Sequence, residues 1–289
     1  MTSIESAGCT DIGRVRSNNE DFFLVSDASK LFIVADGMGG HQSGEVASRL
    51  VVEHIRDFWS RAGADISEEI LPNADAALSD EANRLAAAIT FSNWNIHEFS
   101  HTHQTYWKMG STVAAVLVTE TTLIAANVGD SPIYLVHGDH IELISVIHNV
   151  AAELAARGHP ESTIAERYRN MLTRAMGIDD VVEPYICEAP FFDGDIVVMA
   201  TDGLSNKVSP EEIRRIVRDM RPEAACRYLV NLANERGGED NITVIILALA
   251  LSKSRWREAV MDIRSKIRYG MQKLRTYFKS STMYPTPLS

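Results

Sequence analysis

Apolar and polar positions are most sharply patterned around Leu31-Phe-Ile-Val-Ala35, which runs into Asp36-Gly37-Met38-Gly39-Gly40-His41. A short unbroken apolar run predicts a buried strand, and the glycines after it predict a tight turn with close backbone approach. Phe22 to Val25 precedes it across the polar link Ser26 to Lys30, which reads as a hairpin. A turn centred between Ala28 and Ser29 sets Asp21 opposite Asp36 at the hairpin's open end. Over 44–62, Val46, Leu50, Val51, Ile55, Phe58 and Trp59 recur at helical spacing. A second helix is expected over about 75–101, with Leu78, Ala82, Leu85 and Ile89 on one face.

Further along, Thr112–Val118 and Thr122–Val128 read as strands joined tightly at Glu120-Thr121, the second ending in Gly129-Asp130-Ser131. The same symmetry sets Asp130 opposite Ser111. Ile133–Val136 and Ile141–Ser145 form another expected hairpin. Residues 146–180 do not read as strand: a short helix Ala151–Arg157 closes at Gly158, and the remainder suggests a surface lobe or flap. Asp195-Ile-Val-Val-Met-Ala-Thr-Asp202-Gly203 repeats the apolar run ending in Asp-Gly. Ser209-Pro210-Glu211-Glu212 is a capping box that starts a helix. Another helix is expected from Pro222 to Arg236, followed by Glu239-Asp240-Asn241 and a strand Ile242–Leu249. The short links predict mostly antiparallel sheets covered by helices, an α+β chain.

Beyond residue 250 the pattern changes. Trp256, Val260, Ile263, Ile267, Met271, Leu274 and Phe278 make a helical stripe among Arg and Lys, and a Ser/Thr/Pro-rich end is expected to be disordered. From Leu251 onward there are nine Lys/Arg against two Asp/Glu; with a total of −11, the residues before carry −18. Such a balance argues against a general nucleic-acid binder. It leaves three surfaces open for the stripe: the protein's own acidic body, an anionic membrane, or an acidic partner. Three scattered cysteines without a CxxC fit a reducing cytoplasm. No signal peptide or membrane-spanning run is read.

The candidate chemistry lies at the strand ends. Asp36, Asp130 and Asp202 follow strands, Asp240 precedes one, and Asp21 joins them through its hairpin. If the Asp240 strand runs antiparallel to the Asp202 strand, all share one edge. Carboxylates crowded this way cannot all ionise without compensation. A hard divalent cation supplies it, and oxygen-only ligands select Mg2+ or Mn2+ over zinc. His97, His101 and His103 read instead as a solvated helix end.

These motifs resemble the metal-dependent Ser/Thr protein phosphatases, the type 2C or PPM family, in their bacterial form. The resemblance covers roughly residues 7–250. It lies in Gly13-x-x-Arg16-x-x-x-Glu20-Asp21, Ala35-Asp36-Gly37-Met38-Gly39-Gly40-His41-x-x-Gly44-Glu45, Gly110-Ser111-Thr112, Asn127-Val-Gly129-Asp130-Ser131, Thr201-Asp202-Gly203-Leu204 and Asp240-Asn241-Ile-Thr243. It implies a β-sandwich of two antiparallel sheets flanked by helices on both sides, in α-β-β-α layers. It further implies a catalytic domain over 1–250 with the flap at about 146–180, and a basic tail over 251–289. Two Mn2+ or Mg2+ ions are implied at one edge, with Asp36 bridging them and the Gly37 carbonyl binding one. Asp202 and Asp240 hold the other, and Glu20 and Asp21 lie close by. Arg16 is implied to grip phosphate, and a water between the ions to attack phosphorus.

Three departures qualify the resemblance. Asn206 stands where many relatives carry an aspartate, so a weaker third ion at Asp130 should lose affinity. Pro132 replaces the usual arginine, and Ile147-His148-Asn149 replaces Asp-His-Ser at the start of the flap. His41 is the candidate leaving-group acid by proximity, alongside a purely structural reading, and His148 is a weaker candidate. The expected activity is hydrolysis of phosphoserine and phosphothreonine in proteins, opposing a Ser/Thr kinase. The expected state is a cytoplasmic monomer, with the tail as a candidate peripheral membrane contact. The alternative is a binding module of the same fold without turnover.

Overall fold

Residues 2–39, 43–61, 74–159, 168 and 170–251 are described by the computed structural model. The unbroken apolar strands are explained by what lies on their two sides. In β3 (Leu31–Met38), Leu31, Ile33 and Ala35 enter a core beneath helices, whereas Phe32 and Val34 enter a core between two sheets. Side chains alternate along a strand, so a strand covered on both faces must be apolar at every position. β5 (Val113–Val118) divides in the same way, and β11 (Ile242–Ala250) does so between the intersheet core and a third core.

Three apolar cores therefore separate four layers. One sheet has the order β1 (Ser3–Asp11), β11, β10 (Ile196–Ala200), β7 (Ile133–His137), β8 (His140–Leu143). The other runs β2 (Asp21–Ser26), β3, β5, β6 (Thr122–Val128), β9 (Tyr185–Pro190), with β4 (Gly110–Ser111) added on β3. The named strand pairs are antiparallel. Helices α1 (Ser43–Arg61) and α2 (Asp80–Thr102) cover the second sheet. The short α4 (Asp202–Ser205), α5 (Pro210–Asp219) and α6 (Pro222–Glu235) cover the first. α5 starts with the expected capping box, Ser209 and Glu212 bonding each other's backbone.

The predicted hairpin register is present: Asp21 faces Asp36, and β10 and β11 are antiparallel. Other expectations need correction. β1 and β9 are strands that the pattern did not show, because both are sheet edges whose residues are mostly only partly buried. α2 starts at Asp80, where the Ser79 side chain accepts from the Ala82 amide. Ser111 does not face Asp130: pairing of β5 with β6 stops at Val113 and Val128, and Ser111 lies opposite Gly37. Nor is the 146–180 segment wholly a surface lobe. It contains α3 (Val150–Ala156), but Ala175, Met176 and Gly177 are buried, and Met176 exchanges backbone hydrogen bonds with Ser111. The amphipathic tail lies outside the described residues.

Candidate metal centre

Each candidate carboxylate is fixed by a different piece of backbone. Asp36 is held through its main chain: its amide donates to Thr112 Oγ1 at 3.0 Å, and its carbonyl accepts from the Thr112 amide at 2.8 Å and Ser111 Oγ at 3.0 Å. Asp21 is buried and accepts on Oδ2 from Thr201 Oγ1 at 2.9 Å and Thr243 Oγ1 at 2.7 Å. Asp240 is reached through Asn241, whose side chain accepts from the Glu20 amide at 2.7 Å and donates to the carbonyls of Ile12 and Asn18. One amide side chain thus ties the Arg16–Glu20 loop to the start of β11.

Two glycines permit the approach of these segments. A Cβ on Gly37 would lie 2.0 Å from the Gly44 carbonyl oxygen, where β3 meets α1. A Cβ on Gly203 would lie 1.9 Å from the Asn241 carbonyl oxygen, so only glycine lets the Asp202 turn sit against the Asp240 turn.

The electrostatics show convergence. The Asp36 carboxyl is pushed well above its ordinary range by burial, and then by Asp21, Asp202, Asp130 and Asp240. Burial first, with Asp202 and Asp240 also acting, raises Asp21 to about 7. Burial and Asp202 raise Asp130 to about 7. Asp202 is raised by burial and Asp240, and a hydrogen bond with Asp36 acts the other way. Glu20 is raised chiefly by burial. Asp21 Oδ1 and Asp202 Oδ1 are buried with no hydrogen-bond partner.

Among the described residues no three such side chains already close around one point. Repulsion is offset at one point by the pairing of Asp240 with Arg16. The donor set still fits a hard cation: several carboxylate oxygens meet, two of them orphaned, with no sulfur or imidazole among the described donors. Arg16 Nη2 sits 2.6 Å from Asp240 Oδ2. It lines the same cleft of about 530 Å³ as Glu20, Asp36, Gly37, Asp130, Asp202 and Asp240. His41 lies outside the described residues.

The residues missed from sequence are the supports: Thr112, Thr201, Thr243 and Asn241. All lie inside quoted motifs, but a hydroxyl that positions a carboxylate leaves no signal of its own. His148 Nδ1 accepts from the Gly129 amide at 3.1 Å, and burial lowers its pKa to about 3, so near neutrality the ring is uncharged and a poor acid. Asn149 accepts from the Ala152 amide at 2.9 Å to cap α3 and also hydrogen-bonds Asp130, linking the flap root to the candidate site. Asn149→Ala is expected to lower stability by about 1 kcal/mol, read as a lower denaturation midpoint. Asn149→Ser should recover most of it by restoring the cap oxygen.

The predicted histidine series lies where expected, at the end of α2, with the His97 and His101 rings 4.0 Å apart. It lines no part of the carboxylate cleft.

A protein phosphatase 2C family profile matches residues 8–242. The serine/threonine phosphatase stp of Listeria innocua is 32% identical over 244 residues, covering 82% of this chain and 93% of its own. The crystal structure of the Mycobacterium tuberculosis serine/threonine phosphatase PstP/Ppp superposes with a TM-score of 0.74 at 29% identity, covering 86% of this chain and 99% of that one. A structure of the PstP catalytic domain with 2 manganese ions gives a TM-score of 0.73 at 28% identity, covering 86% and 100%. With the shared layers, the strand-end carboxylates and this extent of match, the chain belongs to the protein phosphatase 2C family of bacterial Ser/Thr phosphatases.

Proposed function

We propose that this protein removes phosphate from phosphoserine and phosphothreonine in proteins, opposing a Ser/Thr kinase, with two Mn2+ or Mg2+ ions at the carboxylate cluster. The observation that carries the reading is the convergence of Asp36, Asp130, Asp202 and Asp240 from separate strand ends on one cleft, with the buried Asp21 close enough to act on them. Asp36, at the centre of the mutual repulsion, is the residue to bridge the ions. The Gly37 carbonyl, Asp202 and Asp240 complete their ligands, with Glu20 and Asp21 close by. When bound, such a pair of ions supplies a water that is nucleophilic near neutral pH and neutralises charge on phosphate oxygens.

The chain's own residues then have defined tasks. Thr201 and Thr243 orient Asp21 through its Oδ2, leaving Oδ1 for the site. Asn241 keeps Arg16 and Glu20 beside the cluster. Arg16, on the cleft wall, offers its planar fork to the phosphate once Asp240 turns to a cation. Asp130 supports a third, weaker ion, and Asn206, which donates to Asp202 Oδ2 at 3.1 Å, adds no charge there.

No helix among the described residues is long and apolar enough to cross a membrane. The free thiols of Cys9, Cys187 and Cys226 support a cytoplasmic setting. Phosphate release from a phosphoserine peptide with Mn2+ and with chelator tests the reading. Release only with the ion supports it, and no release at saturating Mn2+ contradicts it. Arg16→Lys should weaken phosphate recognition, raising KM roughly tenfold for loss of a bidentate contact worth more than 1 kcal/mol. An unchanged KM would remove Arg16 from phosphate binding.

A further inference from the structure

The cleft that holds the carboxylates has one wall of a different character. Met38 is two residues beyond Asp36 on β3, and Met171 and Ile178 come from the two ends of the 171–178 segment. Within this segment Ala175 and Met176 are buried, 8% and 0% exposed, whereas Met171 and Ile178 stay 52% and 42% exposed. Met38 and Ile178 meet above Gly110: a Cβ there would lie 2.7 Å from Met38 Cε and 3.0 Å from Ile178 Cδ1. The glycine lets both side chains settle onto the strand and form a shelf. Charged groups also line the cleft, with Arg16, Arg174 and Asp179 beside the carboxylates, among polar and small residues such as Thr112, Asn170 and Thr173.

A strand rises about 3.3 Å per residue, so the shelf begins about 7 Å along the backbone from Asp36. Residues one or two positions from a phosphoserine lie at a comparable distance in an extended peptide. Exposed apolar surface beside the carboxylates gains from being covered, and polar groups facing it would lose water without a partner.

We propose that Met38, Met171 and Ile178 form a subsite for an apolar side chain next to the phosphorylated residue, so that the preferred substrates are phosphoproteins with an aliphatic residue there. The inference rests on the phosphatase reading above and adds to it the class of sequence acted upon. The shelf is continuous with the metal cleft, which favours substrate over a second copy of the chain or its own apolar tail stripe as the occupant.

The test uses the full chain with Mn2+ and a panel of phosphoserine peptides. Each carries Leu or its uncharged, similarly sized counterpart Asn at one position from two before to two after the phosphoserine. At one of these positions kcat/KM should favour Leu about tenfold, the size expected of a partly open apolar pocket. Ile178→Asn and Met171→Ser should each shrink that ratio toward one, and Ile178→Leu should keep it. Hydrolysis with equal rates for Leu and Asn at every position would overturn the inference while leaving the phosphatase reading intact. A ratio untouched by Ile178→Asn and Met171→Ser would overturn it too. So would a flat panel with shelf substitutions that turn a dimer into a monomer in light scattering, or one that becomes selective when the chain ends at Ala250. Failure to hydrolyse any peptide would instead strike the phosphatase reading.

Discussion

Asp36→Ala is expected to reduce Mn2+-dependent phosphate release from a phosphoserine peptide by about 10³-fold or more. Losing ion-assisted stabilisation worth several kcal/mol has that size. The side chain is the point on which four other carboxylates act, and in the proposed site its loss removes the ligand shared by both ions. The substitution should leave the fold intact. The Asp36 backbone bonds to Ser111 and Thr112 do not involve the side chain, and deleting one member of a repelling cluster relieves strain in the ion-free protein. Steady-state rates alongside thermal unfolding in chelator separate the cases. A large loss of rate with an unchanged or raised midpoint supports the bridging role, and a midpoint that collapses with the rate contradicts it.

The second large effect is on stability against pH. Asp21 and Asp130 sit at about 7 in the folded chain against an ordinary 3.8. Between about pH 4 and pH 7 the folded protein therefore holds more protons than the unfolded chain, and stability falls as pH rises through that window. The advantage of the protonated carboxyls is full below their unfolded values and gone above about pH 7. Ion-free protein should accordingly melt at a lower temperature at pH 8 than at about pH 5.5. Mn2+ competes with those protons for the same oxygens, so its stabilising effect should be larger at pH 8. Melting curves in chelator and in excess Mn2+ at both pH values check this. A chelated midpoint that rises with pH, or a Mn2+ effect equal at both, would contradict it.

How much of this could be read beforehand depended on how loudly each residue announces its surroundings. Leu31–Ala35 and Val244–Leu249 are apolar at every position because layers lie on both sides, and such runs stand out. The Asp21–Asp36 pairing followed from hairpin symmetry alone. β1 and β9 were hidden because an edge strand shows solvent part of itself and mixes Ser, Glu and Cys with its apolar residues. Ser111 was misplaced because strand symmetry carries no information about where a ladder ends; here Thr112 leaves the ladder to bond Ser131 Oγ at 2.7 Å.

At the site, carboxylates at strand ends could be counted from the sequence, and their convergence followed once sheet pairing was guessed. Their supports could not be found in that way. Thr243 looks like any strand threonine until its hydroxyl is seen 2.7 Å from Asp21. The pairing of Arg16 with Asp240, 224 positions apart, is a property of the folded cluster and of its charge, with no local trace. The flap's attachment through Met176 was likewise concealed, because Ala-Met-Gly is as common in loops as in packed turns.

Calorimetric titration of the chelated chain with Mn2+ bears most directly on the claim that these strand ends share cations. Two ions should bind per chain, as in the PstP catalytic domain with its 2 manganese ions. Binding should release protons near neutral pH, and Asp36→Ala should abolish the heat of the tight sites. A wild-type titration without saturable binding at millimolar Mn2+, or an Asp36→Ala curve that overlays it, would contradict the account.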